Sequence, residues 1–591
     1  MKKIFSSLII LYLLQISLSF KCGHDSVLKD KTIKPLDMGT PNKLRNLDSS
    51  YHPIRFHIDY SSIDTNFLVD STYIDNIKSA ISKTTDHFSR LLEVKNDNPV
   101  KIGDPSQCDS AIITNWPITV DADIVIFPVI QSQYELGDSV IAAASACFID
   151  SKTNRPIAGV LYLGSSYDFT KSNSGRFLEM VLLHEMTHIL GFSTGLFQFF
   201  PHKPAFTIQR INGVDRRLII TPEVVKRAQK HFGCDRITGV ELENQGGAGS
   251  AGSHWEARLM LGDYMISTDY DETVISDITL ALFEDSGWYK VNYYSGGLFR
   301  YGKNQGCAFL EEKCIKNGFA NFKHEFCHVP GKEKCLPGNL SKGKCYLVNY
   351  TRPLPTEYRY FTRSTAGGFI PADFCPVALP HEDKEYFLPT SCKFGRIEYN
   401  PIIPPEVFGE NSICVESTLT NKDYSTQNKR YNYSAKCYQA TCDKEKQEII
   451  LTIGSSTVTC PKGVATTYVE GYDGIIKCPD YSRICGGSEW CNDPIECIYK
   501  RSVTVYDEET PSPTYSSTED LESSYPESYQ LYEDWQKLQD WESSFPQIQN
   551  SVSLENSPTN ATNSTNSESS KSSSNFVYLN LFFYIYFLCL C

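Results

Sequence analysis

The stretch LEMVLLHEMTHILGFS, residues 178–193, carries the pattern on which the interpretation of the whole chain depends. The longer segment GRFLEMVLLHEMTHILG contains no proline and ends at Gly191, which is typical of a helix with a C-terminal stop. On a helix, His184 and His188 project from the same face because they are four residues apart, so both imidazoles can reach one metal ion. The sequence therefore predicts a helix with a metal-binding face.

Glu185 completes the five-residue pattern H-E-x-x-H. A carboxylate at this position can reach a water on the metal without binding the metal itself. The other positions of the helix are mainly apolar, and burying two histidines and a glutamate there costs free energy unless a metal compensates. The alternative interpretation is two core histidines hydrogen-bonded to the backbone, with Glu185 at a surface edge.

The third metal ligand has to come from beyond the helix. Gly191 extends the pattern to H-E-x-x-H-x-x-G, after which the chain turns sharply. Compact versions of this pattern have a histidine three residues after the glycine, but here that residue is Thr194. The chemistry of the downstream residues leaves four candidates open, namely His202, His231, His254 and Glu223.

A methionine beneath three metal-binding imidazoles defines the metzincin class of zinc proteases. His254 follows a glycine-rich segment that lets the backbone pass close to a site, and Met265 follows eleven residues later. Met260 competes with Met265 for the same role. The residues alone leave this choice open.

Both ends of the chain indicate export to the cell surface. Lys2 and Lys3 precede an apolar run, which predicts a secretory signal peptide over residues 1–19. Residues 576–591, FVYLNLFFYIYFLCLC, follow a Ser- and Asn-rich spacer, the pattern of a glycosylphosphatidylinositol (GPI) attachment signal. The alternative is a membrane span, for which this segment is short. We expect a GPI-anchored protein that contacts the cell membrane through its lipid and can also be shed.

The 21 cysteines agree with an exported chain, in which disulfides are the default. Without Cys22, Cys589 and Cys591, 18 remain, an even number that allows complete pairing. Five asparagines open N-x-S/T glycosylation sites: Asn339, Asn349, Asn432, Asn560 and Asn563.

The negative charge is concentrated in one segment. The whole chain has a net charge of -14. Residues 502–570 contain thirteen acidic residues and one lysine, which gives this segment a net charge of -12 and leaves the rest of the chain close to neutral. Since no basic patch is present in the sequence, we expect no nucleic-acid partner.

Composition and periodicity predict an α+β fold with several segments. Helical spacing covers residues 72–92, and Val- and Ile-rich strands are predicted at 122–130 and 156–164. The predicted segments are a signal peptide (1–19), a short pro-segment (20–50), a catalytic domain with a mixed sheet and the active-site helix (51–300), a cysteine-rich, loop-rich, disulfide-stapled domain (301–500), an acidic Ser-rich stalk (501–575) and the hydrophobic tail (576–591).

Four quoted stretches together resemble the leishmanolysin family of metzincin zinc proteases. They are HEMTHILGFSTG, GSAGSHWEARLMLGDYMIS, SDITLALFEDSGWYKVNY (276–293) and ASACFIDSKTNRPIAGVLYLG (144–164). The resemblance extends from about residue 50 to 500. It implies a metzincin-like catalytic domain that binds one zinc ion through His184, His188 and His254.

The resemblance also implies roles for other residues. Glu185 would be the catalytic base that activates a zinc-bound water, and Met265 would form the Met-turn. Cys22, in KCGHD, would cap the zinc of the zymogen as a cysteine switch, and the strand in 144–164 would hold substrate. Disulfides are implied between Cys108 and Cys147 and between Cys234 and Cys307.

These expectations combine into a zinc metalloendopeptidase, secreted or on the cell surface, that hydrolyses peptide bonds in proteins. The alternative is a catalytically inactive surface protein for adhesion or recognition, built on the same scaffold.

Overall fold

The computed structural model of the chain describes residues 21–24, 32–38, 51–66, 68–95, 99–132, 140–165, 174–245, 250–268, 270, 272–293, 299–380, 391–393, 403–422 and 434–485. All of these residues belong to one compact unit, Met1–Thr504. The predicted signal peptide, stalk and hydrophobic tail lie outside the described residues, as do Cys491 and Cys497. Within the described part, no helix is both long and apolar enough to cross a lipid bilayer.

The α-helices of the described residues are α1 (Ser61–Asp64), α2 (Ser71–Leu91), α3 (Ser174–Leu190), α4 (Thr194–Phe197), α5 (Pro222–Phe232), α6 (Ala257–Met260), α7 (Asp277–Asp285), α8 (Cys307–Glu311) and α9 (Tyr481–Ile484). Short 3₁₀ helices occur at Pro105–Gln107, Thr356–Tyr358 and Ile370–Ala372. Helix α2 begins where the Asp70 carboxylate accepts a hydrogen bond from the backbone N–H of Tyr73, a typical N-cap.

The strands before residue 300 are β1 (Lys21–Cys22), β2 (Lys34–Leu36), β3 (His52–Pro53), β4 (Phe56–Ile58), β5 (Leu92–Val94), β6 (Val100–Ile102), β7 (Ile118–Val120), β8 (Ile124–Gln131), β9 (Val140–Asp150), β10 (Pro156–Gly164), β11 (Phe206–Ile211), β12 (Val214–Ile219), β13 (Val240–Glu241) and β14 (Lys290–Val291).

The later strands are β15 (Ile315–Lys316), β16 (Phe319–Ala320), β17 (Glu333–Cys335), β18 (Lys342–Tyr346), β19 (Val348–Asn349), β20 (Ala366–Gly367), β21 (Val377–Pro380), β22 (Ser412–Ser417), β23 (Thr420–Asn421), β24 (Ser434–Asp443), β25 (Glu448–Ile453), β26 (Ser456–Pro461), β27 (Thr466–Tyr468), β28 (Tyr472–Asp473) and β29 (Ile475–Lys477).

A mixed sheet forms the centre of the first half. Its strand order is β1-β9-β10-β8-β4, with β2 also paired to β9. Strands β4 and β10 run parallel to β8, whereas β9 runs antiparallel to β10. The three long strands are almost entirely buried, and their continuous apolar sequences are typical of strands that are covered on both faces. The mixed helix and strand content agrees with the sequence prediction.

Helix α3 packs directly on this sheet and on α2. A Cβ atom on Gly159 of β10 would lie 2.4 Å from Cγ2 of Ile189, so a larger residue there would push the helix away. The absence of a side chain at Gly159 thus places the H-E-x-x-H helix against the strands.

The described residues before the predicted catalytic domain add strands to β9. Strand β1 pairs with β9 in parallel, with Cys22 opposite Ala142, and the N–H of Gly23 donates to the Ala142 carbonyl at 3.1 Å. Strand β2 pairs with the far end of β9, where Leu36 lies opposite Asp150. Two short pieces of the predicted pro-segment therefore lie along β9.

The second half contains most of the disulfides, as the cysteine count predicts. The bonds formed within the described residues are Cys108–Cys147, Cys234–Cys307, Cys314–Cys375, Cys327–Cys345, Cys335–Cys414, Cys392–Cys437, Cys442–Cys485 and Cys460–Cys478. The largest sheet there has the order β26-β25-β24-β22-β29-β27. The main cluster of buried apolar side chains extends from Cys22 to Ala378 and so continues across residue 300.

Candidate metal centre

Three histidine side chains from two parts of the chain meet in the interior. His184 and His188 extend from α3, and His254 lies just before α6. All three are buried, and Nε2 of His184 lies 3.2 Å from Nε2 of His188 and 3.2 Å from Nε2 of His254. With Sγ of Cys22, the four ligand atoms all lie within 4.8 Å of one another.

The other nitrogen of each ring is fixed by the backbone. Each Nδ1 is hydrogen-bonded to a carbonyl oxygen: His184 to Tyr264 (2.7 Å), His188 to Phe192 (2.7 Å) and His254 to Ser250 (2.8 Å). A carbonyl only accepts, so Nδ1 carries the hydrogen and the lone pair of each neutral ring is on Nε2. Three lone pairs therefore point toward one centre, as in histidine metal sites.

These distances fit a zinc ion. Bonds of about 2.05 Å to a tetrahedral zinc place two nitrogens about 3.3 Å apart, close to the 3.2 Å separations in the site. Burial, together with the neighbouring imidazoles, lowers the pKa of His184 and His188 well below the ordinary histidine value. Both rings are therefore neutral, which is the form that binds metal.

Glu185 is completely buried on α3, next to His184. The sequence alternative of a glutamate at a surface edge is therefore wrong for this residue. Glu185 is thus an interior residue of the same helix that carries His184 and His188.

The segment around Met265 supports two of the histidines. The carbonyl of Tyr264 accepts the hydrogen bond from His184, and the Tyr264 hydroxyl bonds to Thr187 of α3 at 2.8 Å. The carbonyl of Met265 accepts from the N–H of Trp255, the residue after His254. Met265 thus lies in a turn bonded to both ligand segments.

Met260, the other candidate for the methionine beneath the histidines, is buried in α6 and belongs to the same core as Met265. The competing ligand candidates lie in other surroundings. His202 is exposed, Glu223 pairs with Lys226 of α5, and His231 stacks on Phe299. Among the described residues, the structure brings His254, rather than His202, His231 or Glu223, into the group with His184 and His188.

Cys22 reaches the same centre from the predicted pro-segment. Its sulfur is a thiol rather than part of a disulfide, and it lies 3.4 Å from Nε2 of His188. A Cβ atom on Gly23 would lie 2.8 Å from Cγ1 of Val140 on β9, which explains why glycine follows the cysteine in KCGHD.

His24 also enters the site, which the sequence reasoning missed. Its ring stacks on the ring of His188, with centroids 3.9 Å apart and an angle of 4° between the planes. Nε2 lies 3.0 Å from the Ser193 hydroxyl, and Nδ1 makes a short hydrogen bond to the Ala144 carbonyl. Burial lowers the pKa of His24 to about 4. Its position two residues after Cys22 in KCGHD is the sequence feature that could have indicated a role at the same site.

The pairs implied by resemblance are joined in the structure, Cys108 to Cys147 and Cys234 to Cys307. Of the glycosylation candidates, Asn349 is exposed. The amide nitrogen of Asn339 donates to the Cys414 carbonyl at 2.9 Å. Asn432, Asn560 and Asn563 lie outside the described residues.

A second group of acidic side chains, the carboxylate cluster, consists of Glu241, Glu256 and Asp373. All three are buried, and their ligand atoms also lie within 4.8 Å of one another. Arg216 binds Glu241 and Asp373. No motif in the sequence predicts this cluster because its members come from distant segments.

A helix that carries H-E-x-x-H, with a third histidine brought in from a later segment, is the arrangement of metal-dependent peptidases. The family model of leishmanolysin matches residues 74–491. The chain belongs to the leishmanolysin family, whose members are zinc metalloproteases.

Similar proteins come from protozoa and animals. The chain is 30% identical over 361 residues to a leishmanolysin of Leishmania donovani, and the match covers 59% of each protein. It is 28% identical over 428 residues to a leishmanolysin-like peptidase of Drosophila pseudoobscura pseudoobscura, covering 60% of this chain and 62% of the relative. A leishmanolysin-like peptidase of Caenorhabditis elegans is 27% identical over 478 residues, covering 65% and 71%. The matched part spans less than two thirds of the L. donovani and D. pseudoobscura proteins.

Proposed function

We propose that the chain is a zinc metalloendopeptidase of the metzincin class that hydrolyses peptide bonds in proteins. Membership of the leishmanolysin family supports a metalloprotease. The observation that carries the proposal is the convergence of three histidine Nε2 atoms at tetrahedral spacing, two of them on the helix that also carries the buried Glu185.

His184, His188 and His254 would hold one zinc ion per chain. Zinc supplies a Lewis acid, which lowers the pKa of water and polarises the scissile carbonyl. The three backbone carbonyls that bind Nδ1 keep the rings oriented and raise their basicity.

Glu185 acts as the general base and then as the general acid. Its carboxylate takes a proton from the attacking water and delivers this proton to the leaving amine. Met265 forms the Met-turn: its own carbonyl accepts from the N–H of Trp255, and the carbonyl of the preceding Tyr264 accepts from His184. Strand β9 offers backbone N–H and C=O groups along which an extended substrate peptide can bind once the pro-segment has left.

In the unprocessed chain, Cys22 blocks the metal centre. A thiolate is a good zinc ligand, and Sγ of Cys22 lies within the same group of ligand atoms as the three histidines. Pairing of β1 with β9 and the contacts of His24 hold the cysteine there. Latency therefore requires the pro-segment to occupy both the metal centre and the β9 edge.

The location of the protein is also a proposal. The disulfides support an oxidising, extracellular compartment, and the two terminal sequences indicate export and a GPI anchor. Exposed Asn349 is the better-placed glycosylation site of the two described, since Asn339 uses its amide nitrogen inside the protein.

The test is peptidase activity on an unstructured protein. The processed ectodomain ending near residue 500 is compared with its Glu185→Ala variant, each with and without a zinc chelator. Removing a general acid–base should lower kcat/KM by roughly 10²–10⁴-fold, with zinc still bound. If both proteins are inert although zinc is bound and the pro-segment is removed, the proposal is wrong and an adhesion or recognition role is favoured.

A further inference from the structure

His254 lies in a pair of backbone segments, which we call the ligand ribbon (residues 241–245 and 252–256). The N–H of Glu243 donates to the His254 carbonyl at 2.8 Å. The N–H of Glu256 donates to the Glu241 carbonyl, and the N–H of Gly252 donates to the Glu243 carbonyl, both at 3.0 Å. The position of the third histidine is therefore set by the segment 241–245.

The ligand ribbon is bound to the cysteine-rich half through a buried arginine. Nη1 of Arg216, on β12, binds the carboxylate of Glu241, and Nη2 lies 2.7 Å from Oδ2 of Asp373. All three side chains are almost inaccessible to solvent. Burial alone would lower the pKa of Arg216, but the charges of Glu241 and Asp373 raise it above the ordinary value. The guanidinium is thus a fixed cation between two halves of the chain.

A second connection passes through the ligand ribbon itself. The amide nitrogen of Asn244 donates to Glu256 at 2.8 Å and to Oδ1 of Asp373 at 3.3 Å. The hydroxyl of Tyr358, also from the cysteine-rich half, donates to the Asn244 side-chain oxygen at 3.0 Å. Asp373 therefore contacts the ribbon directly through Asn244 and indirectly through Arg216.

The loop that carries Asp373 is held in an unusual conformation. Asp373 and Phe374 have φ angles of 55° and 60°, a left-handed region that Asp tolerates but that a bulky residue such as Phe rarely adopts. Two residues later, Cys375 is joined to Cys314, and the Tyr360 hydroxyl donates to the Asp373 carbonyl at 3.0 Å. Such conformations persist where the surrounding structure over-determines them, and they concentrate at functional sites.

We propose that Asp373 is a positioning residue for the third zinc ligand: through Arg216 and Asn244 it fixes the ligand ribbon that carries His254. The expected effect on zinc binding rests on the proposed function, whereas the fixing of the ribbon rests on the hydrogen bonds and ion pairs described above. It gives the cysteine-rich half a role in assembling the metal centre. In this role Asp373 acts through Arg216 and Asn244.

The carboxylate cluster has the composition of a second cation site, but its contacts favour the positioning role. Arg216 already supplies positive charge to Glu241 and Asp373. Asn244 supplies hydrogen-bond donors to Glu256 and Asp373. The carboxylates therefore have partners from the protein, which join separate segments of the chain.

The test compares Asp373→Asn with a matched control, Glu325→Gln, in the purified full chain. Asparagine has nearly the size of aspartate and tolerates the left-handed conformation, so the substitution mainly removes charge. Glu325 is also fully buried, also pairs with an arginine, Arg483, and also lies in the cysteine-rich half. Both variants lose one partner of a buried ion pair, but only Asp373→Asn touches the ligand ribbon.

Two readouts distinguish positioning from general stability. Chelator competition should show zinc binding weakened roughly 10–100-fold in Asp373→Asn, as for outer residues that orient metal ligands, and little changed in Glu325→Gln. Hydrogen exchange should be faster at the amides of Gly252 and Glu256 in Asp373→Asn alone. Unchanged exchange and zinc affinity, or equal changes in both variants, would overturn the inference. If the parent itself binds no zinc, the proposed function fails, while hydrogen exchange still decides whether Asp373 anchors the ribbon.

Discussion

The histidine group (His184, His188 and His254) and the carboxylate cluster both bring possible metal ligands close together, but they differ in their hydrogen bonds. In each, buried side chains offer ligand atoms within 4.8 Å of one another. Each histidine binds a backbone carbonyl through Nδ1, so its Nε2 is directed to the shared centre. The carboxylates instead bind Arg216 and Asn244. Proximity of possible ligand atoms is therefore not enough to indicate a metal site. The remaining hydrogen bonds of the side chains must leave their lone pairs directed at one centre, and no arginine of the protein should already supply the positive charge.

Replacing one residue in each group should give the largest difference between the histidine group and the carboxylate cluster. His254→Ala should lose zinc and lower peptidase activity by at least about 10³-fold, because a metal Lewis acid contributes several kcal/mol to such a reaction. Glu241→Gln should still bind zinc, because Glu241 binds Arg216 rather than the metal, but its affinity should fall roughly 10–100-fold, as in Asp373→Asn, because the same bond holds the ligand ribbon. Zinc content and kcat/KM of both purified variants check this prediction. Full zinc occupancy in His254→Ala would contradict the ligand assignment.

Removing the arginine tests the carboxylate cluster directly. Arg216→Met should lower the free energy of unfolding by roughly 3–5 kcal/mol, because it leaves buried carboxylates without their cation. Denaturant unfolding with and without added zinc or calcium measures the effect. If calcium restored the stability of the variant, or if zinc stabilised the variant more than the parent, the carboxylate cluster would be able to act as a metal site.

The pro-segment contacts provide a smaller test of the histidine group. Cys22→Ala in the unprocessed chain should raise peptidase activity about tenfold or more, which corresponds to losing about 1.4 kcal/mol of inhibitory contact. His24→Ala should have a lesser effect in the same direction, because it removes the stacking on His188 and the bond to Ser193 but keeps the sulfur. Activity of each chain before any proteolytic processing gives the measurement. Equal latency in all three chains would rule out a cysteine switch.

His231 belongs to neither the histidine group nor the carboxylate cluster and serves as a reference for a histidine with a structural role. Its Nε2 is hydrogen-bonded to the Tyr301 carbonyl at 2.8 Å, and burial lowers its pKa to about 3. The unfolded chain takes up a proton near pH 6.5 and the folded chain does not, so stability is present above 6.5 and is lost as the pH falls toward 3.

His231→Gln should therefore reduce the loss of stability on acidification, by at most about 1.4 kcal/mol per pH unit. Urea unfolding of the variant and the parent between pH 7 and 5 measures the two slopes. Identical slopes would show that His231 takes up its proton at the ordinary pH even when the chain is folded.

The sequence predicted the parts of the site that are local and periodic. Helix α3 and its metal-binding face follow from the four-residue spacing of His184 and His188, and the strand predicted at 156–164 coincides with β10. His254 could be chosen over the other candidates only by resemblance, since its approach to α3 depends on how the intervening chain folds.

Contacts between distant segments were beyond prediction from spacing. Arg216, Glu241 and Asp373 lie far apart in the chain and share no motif, so nothing short of the fold brings them together. The end of the catalytic domain predicted at residue 300 stays a prediction, although the apolar core continues past it. His24 belongs to the KCGHD motif, but its stacking on His188 could not be predicted because it depends on the pairing of β1 with β9.

Zinc-edge X-ray absorption of the purified, unprocessed chain tests directly whether His184, His188 and His254 hold a zinc ion. We expect one zinc with three nitrogen ligands at about 2.0–2.1 Å and one sulfur at about 2.3 Å, and the sulfur should be lost in Cys22→Ala. A site bound by oxygen ligands alone, or a chain that retains no zinc, would contradict this ligand assignment.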